Sequence, residues 1–539
     1  MSLPRVKIEF LNGALGSNTP GDDGVVGLIA NGFENYIYET DEKGELILEN
    51  EEPKVKDTLL KYQKPYLIAR LSDLYNLGFN GLEKDEWKKS SMTGEELTEE
   101  FKDFENKFEV LKNGELSNEE VVTKIEEFIE DFNDNAEPDN VKILEIRRKV
   151  EEVEADDETE EETKFEVSIT VRVERRARLK DKNYHIFNTV KDFYKEAPEG
   201  TKLWLMVVEP GVTMAKMLDK DETKNGKKVN AAALIEKAKG TINLIITKKL
   251  DYEEWEEGYE KKEDDPEFKP IAVTEKDGLD EDVYKAITNA QSLCKWSTET
   301  LFAPLFVLLE GRHYTGDVID LKDLHEGNNN RVGVLIGDTK KGNDACIGLL
   351  AGRVAAIPVQ RSIARVKSGP IPADDLFIGK ETTEDGNPEA IHDKGFIIPR
   401  TFVGKAGYYW SDDKLATQIS DDYALIPRRR VVDKAYRIAY DVLVDELGEE
   451  IPVTDEGKIP APIVKSIQNK VERAIQNKMT IYGNLGNDPA DPNDIGVQCY
   501  IDPNQPIMAT SRLAISLKVK PHAYAKYIDV ELGFKVVGV

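Results

Sequence analysis

Apolar residues at every second position mark both ends of this chain. Leu513, Ile515, Leu517 and Val519 alternate with Arg512, Ala514, Ser516 and Lys518. After a break at Pro521, Ile528, Val530, Leu532, Phe534 and Val536 alternate again. A period of two predicts strands. An apolar strand at a free end is an unpaired sheet edge, so it pairs within its own domain or with another copy. Val6, Ile8 and Phe10 make a similar run near the start, followed by a glycine-rich connector to Asp23. Fully extended, the first twenty residues would reach roughly 65 Å. The chain is therefore expected to carry strand-forming arms at both ends.

Between the arms the spacing changes twice. A short apolar strand is expected at Val25–Ala30, and residues 64–79 read as a strand, a Ser72 cap and a short helix ending at Gly78. From Asn183 to Asp374 helical and strand patterns alternate. Helices are expected at 186–194, 231–239, 280–298 and 343–356, with strands at 202–208, 241–247, 305–310 and 332–337. This β-α-β rhythm predicts a mostly parallel sheet covered by helices. Beyond it a loop-rich stretch runs to Ile426. Amphipathic helices follow at about 430–447 and 461–479, and then the closing strand pair.

Charge adds one boundary. The net charge is −30, yet residues 81–164 hold 30 acids and 12 bases. Within this stretch Ser117 to Glu120 form a capping-box pattern. Val121, Val122, Ile125, Phe128, Ile129 and Phe132 recur at helical spacing, and Phe165 to Val173 alternate as a strand. An inserted acidic domain is expected over 82–182. The expected organisation is an arm and linker at 1–20, a first core part at 21–81, the insert at 82–182 and an α/β core at 183–374. A C-terminal α+β domain at 375–510 and a strand pair and arm at 511–539 complete it. The fold class is multi-domain α/β. So acidic a chain is not expected to bind nucleic acid, whose phosphates would be repelled. No run of about 18 apolar residues suggests a membrane span. Cys294, Cys346 and Cys499 are far apart in sequence and suit a reducing compartment.

Motifs for chemistry are sparse. Gly337-Asp-Thr-Lys-Lys-Gly-Asn lies between a strand and a helix, but its lysines precede the second glycine and no Ser/Thr follows, so it is a poor phosphate cradle. His185, His313, His325, His392 and His522 show no metalloprotease spacing, and no cofactor is expected. Asp412-Asp413 and Asp421-Asp422 could together hold a divalent cation, which keeps a metal-dependent α/β enzyme as an alternative; each doublet also reads as an ordinary turn. One basic cluster, Arg428, Arg429, Arg430, Lys434 and Arg437, reads either as a solvated helix face or as a docking face for an acidic partner.

Three stretches carry a family resemblance. They are Gly348-Leu-Leu-Ala-Gly-Arg-Val-Ala-Ala-Ile-Pro-Val-Gln-Arg-Ser, then Phe402-Val-Gly-Lys-Ala-Gly-Tyr-Tyr-Trp-Ser-Asp-Asp with Arg429-Arg-Val-Val-Asp-Lys-Ala, and Leu513 to Phe534. In this order they resemble the contractile tail sheath proteins of phages and phage-like injection systems. The resemblance implies a structural subunit and not an enzyme. It implies helical self-assembly around an inner tube protein, contact with baseplate and tail terminator proteins, and no insertion into a membrane. The implied location is the bacterial cytoplasm during assembly and then a virion tail or injection particle. It further implies that terminal arms, here Val6, Ile8 and Phe10 with Ile528, Val530, Leu532, Phe534 and Val536, add strands to neighbouring copies, and that the basic cluster faces the tube. A non-contractile capsid or baseplate component would use the same arms.

Overall fold

A computed structural model of the protein describes residues 23–39, 47–49, 52–81, 83–93, 105–112, 118–135, 141–153, 164–180, 182–224, 226–250, 273–530 and 532. The arm residues Val6, Ile8, Phe10, Phe534 and Val536 lie outside these, as do the Ser117 cap and the acidic loop at 251–269. Along the chain come β1 (Val26–Asn31), β2 (Tyr66–Ile68), β3 (Glu83–Thr93), α1 (Asn118–Asn135), β4 (Val141–Val153) and β5 (Lys164–Lys180). Next are α2 (Tyr184–Glu196), β6 (Leu203–Val208), α3 (Asn230–Lys237), β7 (Leu244–Lys248), α4 (Glu281–Thr300), β8 (Phe306–Glu310) and β9 (Val332–Leu335). The last are α5 (Ile347–Ala356), α6 (Ile426–Val444), α7 (Ala461–Ile475), β10 (Val497–Ile501) and β11 (Ile515–Val519). The chain divides into two compact units, and Gly81–Tyr184 make up most of the smaller one.

The larger unit is built on a six-stranded sheet of order β9-β8-β7-β1-β6-β2, parallel except for β2. Every residue of β1, β7, β8 and β9 is buried, as expected when helices cover both faces of a parallel sheet. Side chains alternate between two cores. Ile29, Met206, Ile245, Val307 and Val334 pack with α3 and α4. Leu28, Leu205, Ile246, Leu308 and Leu335 pack with α2 and α5. Helices α2 and α5 approach closely because α5 carries Gly348 and Gly352. A Cβ at either would sit 2.3 Å from Thr189 O or 2.4 Å from Phe193 O. Arg353 on α5 then reaches both carboxylate oxygens of Glu196 at 2.7 Å. The result is a multi-domain α/β fold with a mostly parallel central sheet and several small antiparallel ones.

In the smaller unit β3, β5 and β4 form an antiparallel sheet. Phe128 and Phe132 of α1 pack on Ile143, Ile146, Val171 and Val173. Strands β3 and β4 have no counterpart among the expected elements. β4 carries a register shift between Ile143 and Glu145, which breaks the period of two that alternation depends on.

Two further expectations change. Ser72 does not cap the short helix at Leu71–Leu77; Asp73 accepts hydrogen bonds from the Ala69 and Arg70 amides instead. Of the second closing strand expected at 528–536, only 528–530 and 532 are among the described residues. β11 pairs antiparallel with β10, and residues 521–530 are not a strand. Pro521 lacks an amide proton, and the chain beyond it is held by side chains.

Candidate assembly interface

α6 starts after Leu425 with Pro427 in its first turn, where a missing N–H costs no helical bond. Its basic residues turn inward. Arg429 is 1% exposed, Arg430 and Lys434 are buried, and Arg428 and Arg437 are half-buried. Asp433 accepts from Arg429 at 2.8 and 3.1 Å and from Arg331 at 3.0 and 3.2 Å, and Arg331 also donates to Leu305 O at 2.7 Å. Arg437 donates to the carbonyls of Gly240, Ile242 and Pro304. These arginines satisfy carbonyls around the sheet and its connections, as buried backbone groups require. Burial pulls Arg429, Arg430 and Arg437 down to about 10, still cationic at neutral pH. Of the residues expected to dock a tube, Arg429, Arg430, Lys434 and Arg437 instead bond groups of their own chain on a core helix, and Arg428 is half-buried beside them.

The open surface lies further on. β10 and β11 form a two-stranded sheet whose inner face packs on α6 and α7 through Val497, Cys499, Leu517 and Val519. The outer side of β10 is capped at Cys499, whose amide donates to Glu472 at 2.9 Å. On β11 the alternation of the ladder turns the backbone groups of Ile515, Leu517 and Val519 away from β10. Among the described residues no strand covers that edge.

The chain then crosses the larger unit as a tail held at three points. His522 Nε2 lies 3.4 Å from Gly483 O, Tyr524 Oη donates to Gln360 O at 2.5 Å, and Lys526 Nζ donates to Asp412 at 2.5 Å and Asp413 at 3.4 Å. Beyond Lys526 the described apolar side chains stand in solvent: Ile528 and Val530 are 78% exposed and Leu532 is 96% exposed. Runs of exposed apolar side chains like this mark contact surfaces.

Lys526 bears on the metal alternative. Asp413 is fully buried and Asp412 nearly so, and His392 Nε2 lies 3.5 Å from Asp412. Burial pushes Asp413 up to about 7, against the attraction of Lys526 and with the Asp412 charge adding to the rise. Burial also acts to raise Asp412, but hydrogen bonds from His392 and Asp413 and the Lys526 charge hold it below the usual carboxylate range. The ammonium supplies here the positive charge that a cation would bring. Asp421 has other partners: Asn330 at 2.9 Å, Thr417 at 3.1 Å and the Tyr423 amide at 2.8 Å. Asp422 is half-buried. Among the described residues no group of three or more acids, histidines or cysteines has a metal-binding arrangement.

Doubly wound sheets take ligands where the strand order reverses, here at the carboxyl ends of β1 and β7. Asn31 fills that point. Its amide accepts from the Leu250 N–H at 2.6 Å and donates to Leu250 O at 3.3 Å. Beside it Lys248 contacts Glu310 and Asp344, Arg312 donates to Asp344 at 2.6 Å, and Lys249 donates to Asp280 at 2.7 Å. Burial raises Glu310 to about 8 despite the Lys248 charge. The Gly337–Gly342 loop offers no open cradle either, because its amides at Asp338 and Gly342 donate to Phe377 O and Gly379 O. The sequence signal for this cluster was Lys248-Lys249 at the end of an apolar strand, with Glu310 and Arg312 at the end of the next.

His185 makes this edge acid-sensitive. Its Nε2–H donates to Asn31 O at 2.7 Å, and burial lowers it from 6.5 to about 4. The folded state therefore resists a proton that the unfolded chain accepts. The neutral ring's contribution is present above pH 6.5 and is lost as pH falls through 4. Since the residue keeps partial exposure, about 2 kcal/mol is expected. Urea unfolding of His185→Gln between pH 7 and 4 should lose correspondingly less stability than the parent; equal losses would contradict this.

A search of curated proteins finds no match to the chain. Two models of one family match it in order, the DUF2586 N-terminal domain over residues 170–414 and the DUF2586 C-terminal domain over 422–538. The second covers α6, α7, the β10–β11 sheet and the tail, and most of the acidic insert lies outside both. Matched in both its domains and over about two thirds of its length, the chain belongs to the DUF2586 family.

Proposed function

We propose that this chain is a structural subunit that polymerises helically by arm exchange, as the subunit of a contractile tail sheath. The observation that carries the proposal is the tail. It is fixed through Lys526 and then presents Ile528, Val530 and Leu532 to solvent at strand spacing, on a chain in which no described strand covers the outer edge of β11. Strand addition fits both halves: the added main chain satisfies the β11 edge, and alternate side chains set the register. A joint in which one copy donates and the next accepts is head-to-tail, so it propagates as a filament and does not close.

The partners in this proposal are further copies of the chain, an inner tube protein, and baseplate and terminator proteins at the ends. A particle assembled in a bacterial cytoplasm accords with the sheath reading. No described helix is long and apolar enough to cross a membrane. Contraction needs no nucleotide if the extended lattice is a kinetically trapped state. A few hundred Å² of added apolar burial per subunit would release several kcal/mol, at about 25 cal/mol per Å². Electron microscopy of the purified full-length chain tests the proposal. Tubes or filaments of helical rows support it, and a monomer at high concentration sinks it.

A further inference from the structure

We infer that both arms leave the core from one shared root, built on the short connector after α5. This deepens the arm-exchange proposal and rests on it for its purpose, although the geometry stands within a single chain.

Asp23 and Gly24, which follow the N-terminal arm and linker, meet the connector first. Gly24 lies against the end of α5, where a Cβ would come within 2.7 Å of Ala355 O, so the chain touches the helix with no side chain between them. Arg430 then bridges the two segments. It donates to Asp23 O at 3.4 Å on one side and to Ile357 O at 3.1 Å and Pro358 O at 3.5 Å on the other. Lys434, one turn along α6, holds the Asp23 carboxylate at 2.6 Å.

The C-terminal arm meets the same connector two residues later. Tyr524 donates to Gln360 O, and the Gln360 side chain is itself fixed, donating to Gly483 O at 3.3 Å and accepting from Asn484 at 3.0 Å. Lys526 adds its charge pairing with Asp412 and Asp413 immediately before the exposed stripe begins. Residues 355–360 thus carry one contact from each side, Gly24 at Ala355 and Tyr524 at Gln360, and Arg430 ties the connector to α6.

A shared root has a mechanical consequence. Tension entering by one arm can pass to the other through Arg430 and a few residues of connector, beside the covalent path from Gly24 into β1. It also fixes the spacing between the arms, so each subunit offers donor and acceptor at a constant separation while the remainder turns. Coupling of this kind travels through contiguous packed groups, so loosening either anchor should loosen both arms.

Electron spin resonance distances on the full-length chain test this. Nitroxides are placed at Asp22→Cys or Tyr527→Cys, each paired with Lys285→Cys on α4; the natural cysteines are buried. Tyr524→Phe combined with Lys526→Met should at least double the width of the 527 distribution and also broaden that from position 22. Lys434→Met should do the same from the other side. Both variants alter one anchor and leave the apolar cores intact, which circular dichroism checks. Broadening confined to the loosened arm would overturn the shared root, as would broad distributions in the parent. Sedimentation of the same samples separates the two claims: polymers with uncoupled arms leave exchange standing without the root, whereas coupled arms without polymers leave the root standing without exchange.

Discussion

Asp433→Asn is expected to destabilise the larger unit by about 3–5 kcal/mol, the cost of removing one partner from a buried ion group. Asp433 is the anion between Arg331, just before β9, and Arg429 on α6. A carboxamide cannot accept from both guanidinium groups with two oxygens, and its –NH2 faces donors. Two cations would then remain close together in a site whose burial already pulls Arg429 down to about 10. Conversely, replacing all three by apolar residues of similar size is expected to cost little, because the desolvation penalty disappears with the charges. Urea unfolding checks both. A loss below about 1 kcal/mol for Asp433→Asn would mean that the group is not the tie between sheet and α6 that its geometry describes.

The second large effect is on assembly. Val530→Lys with Leu532→Lys should leave the monomer folded, since these side chains bury almost nothing within their own chain. Pairing with a neighbour would bury both in part. Loss of about 3 kcal/mol per joint raises the critical concentration roughly a hundredfold. Sedimentation against concentration reads this directly. An unfolded variant would place these residues in their own domain, and unchanged assembly would remove them from the joint.

How much of this was legible in the sequence follows from what each pattern records. The continuous apolar runs of β6 and β8 announced a sheet covered on both faces, and the helices between them followed at the expected spacing. The basic face of α6 misled for a physical reason. Arg429 and Asp433 at helical i, i+4 spacing look like a solvated pair. What makes this a core face lies more than a hundred residues away along the chain: Arg331 completes the Asp433 pair, and the carbonyls of Gly240, Ile242 and Pro304 take up Arg437. The partner of β11 was hidden likewise. Val497, Cys499 and Ile501 alternate, but they follow a loop rich in Gly, Asn, Asp and Pro that reads as irregular to its end. The tail stripe was visible as spacing, whereas its anchoring by Tyr524 and Lys526 depends on long-range pairing with Gln360 and Asp412 that no local pattern encodes.

The most direct test of arm exchange is cryo-electron microscopy of the purified full-length chain at a resolution that traces the main chain. The proposal predicts helical tubes in which the tail beyond Lys526 leaves its own subunit and lies as a strand against β11 of a neighbour. Single chains, or tubes in which that segment folds back on its own sheet, would contradict it.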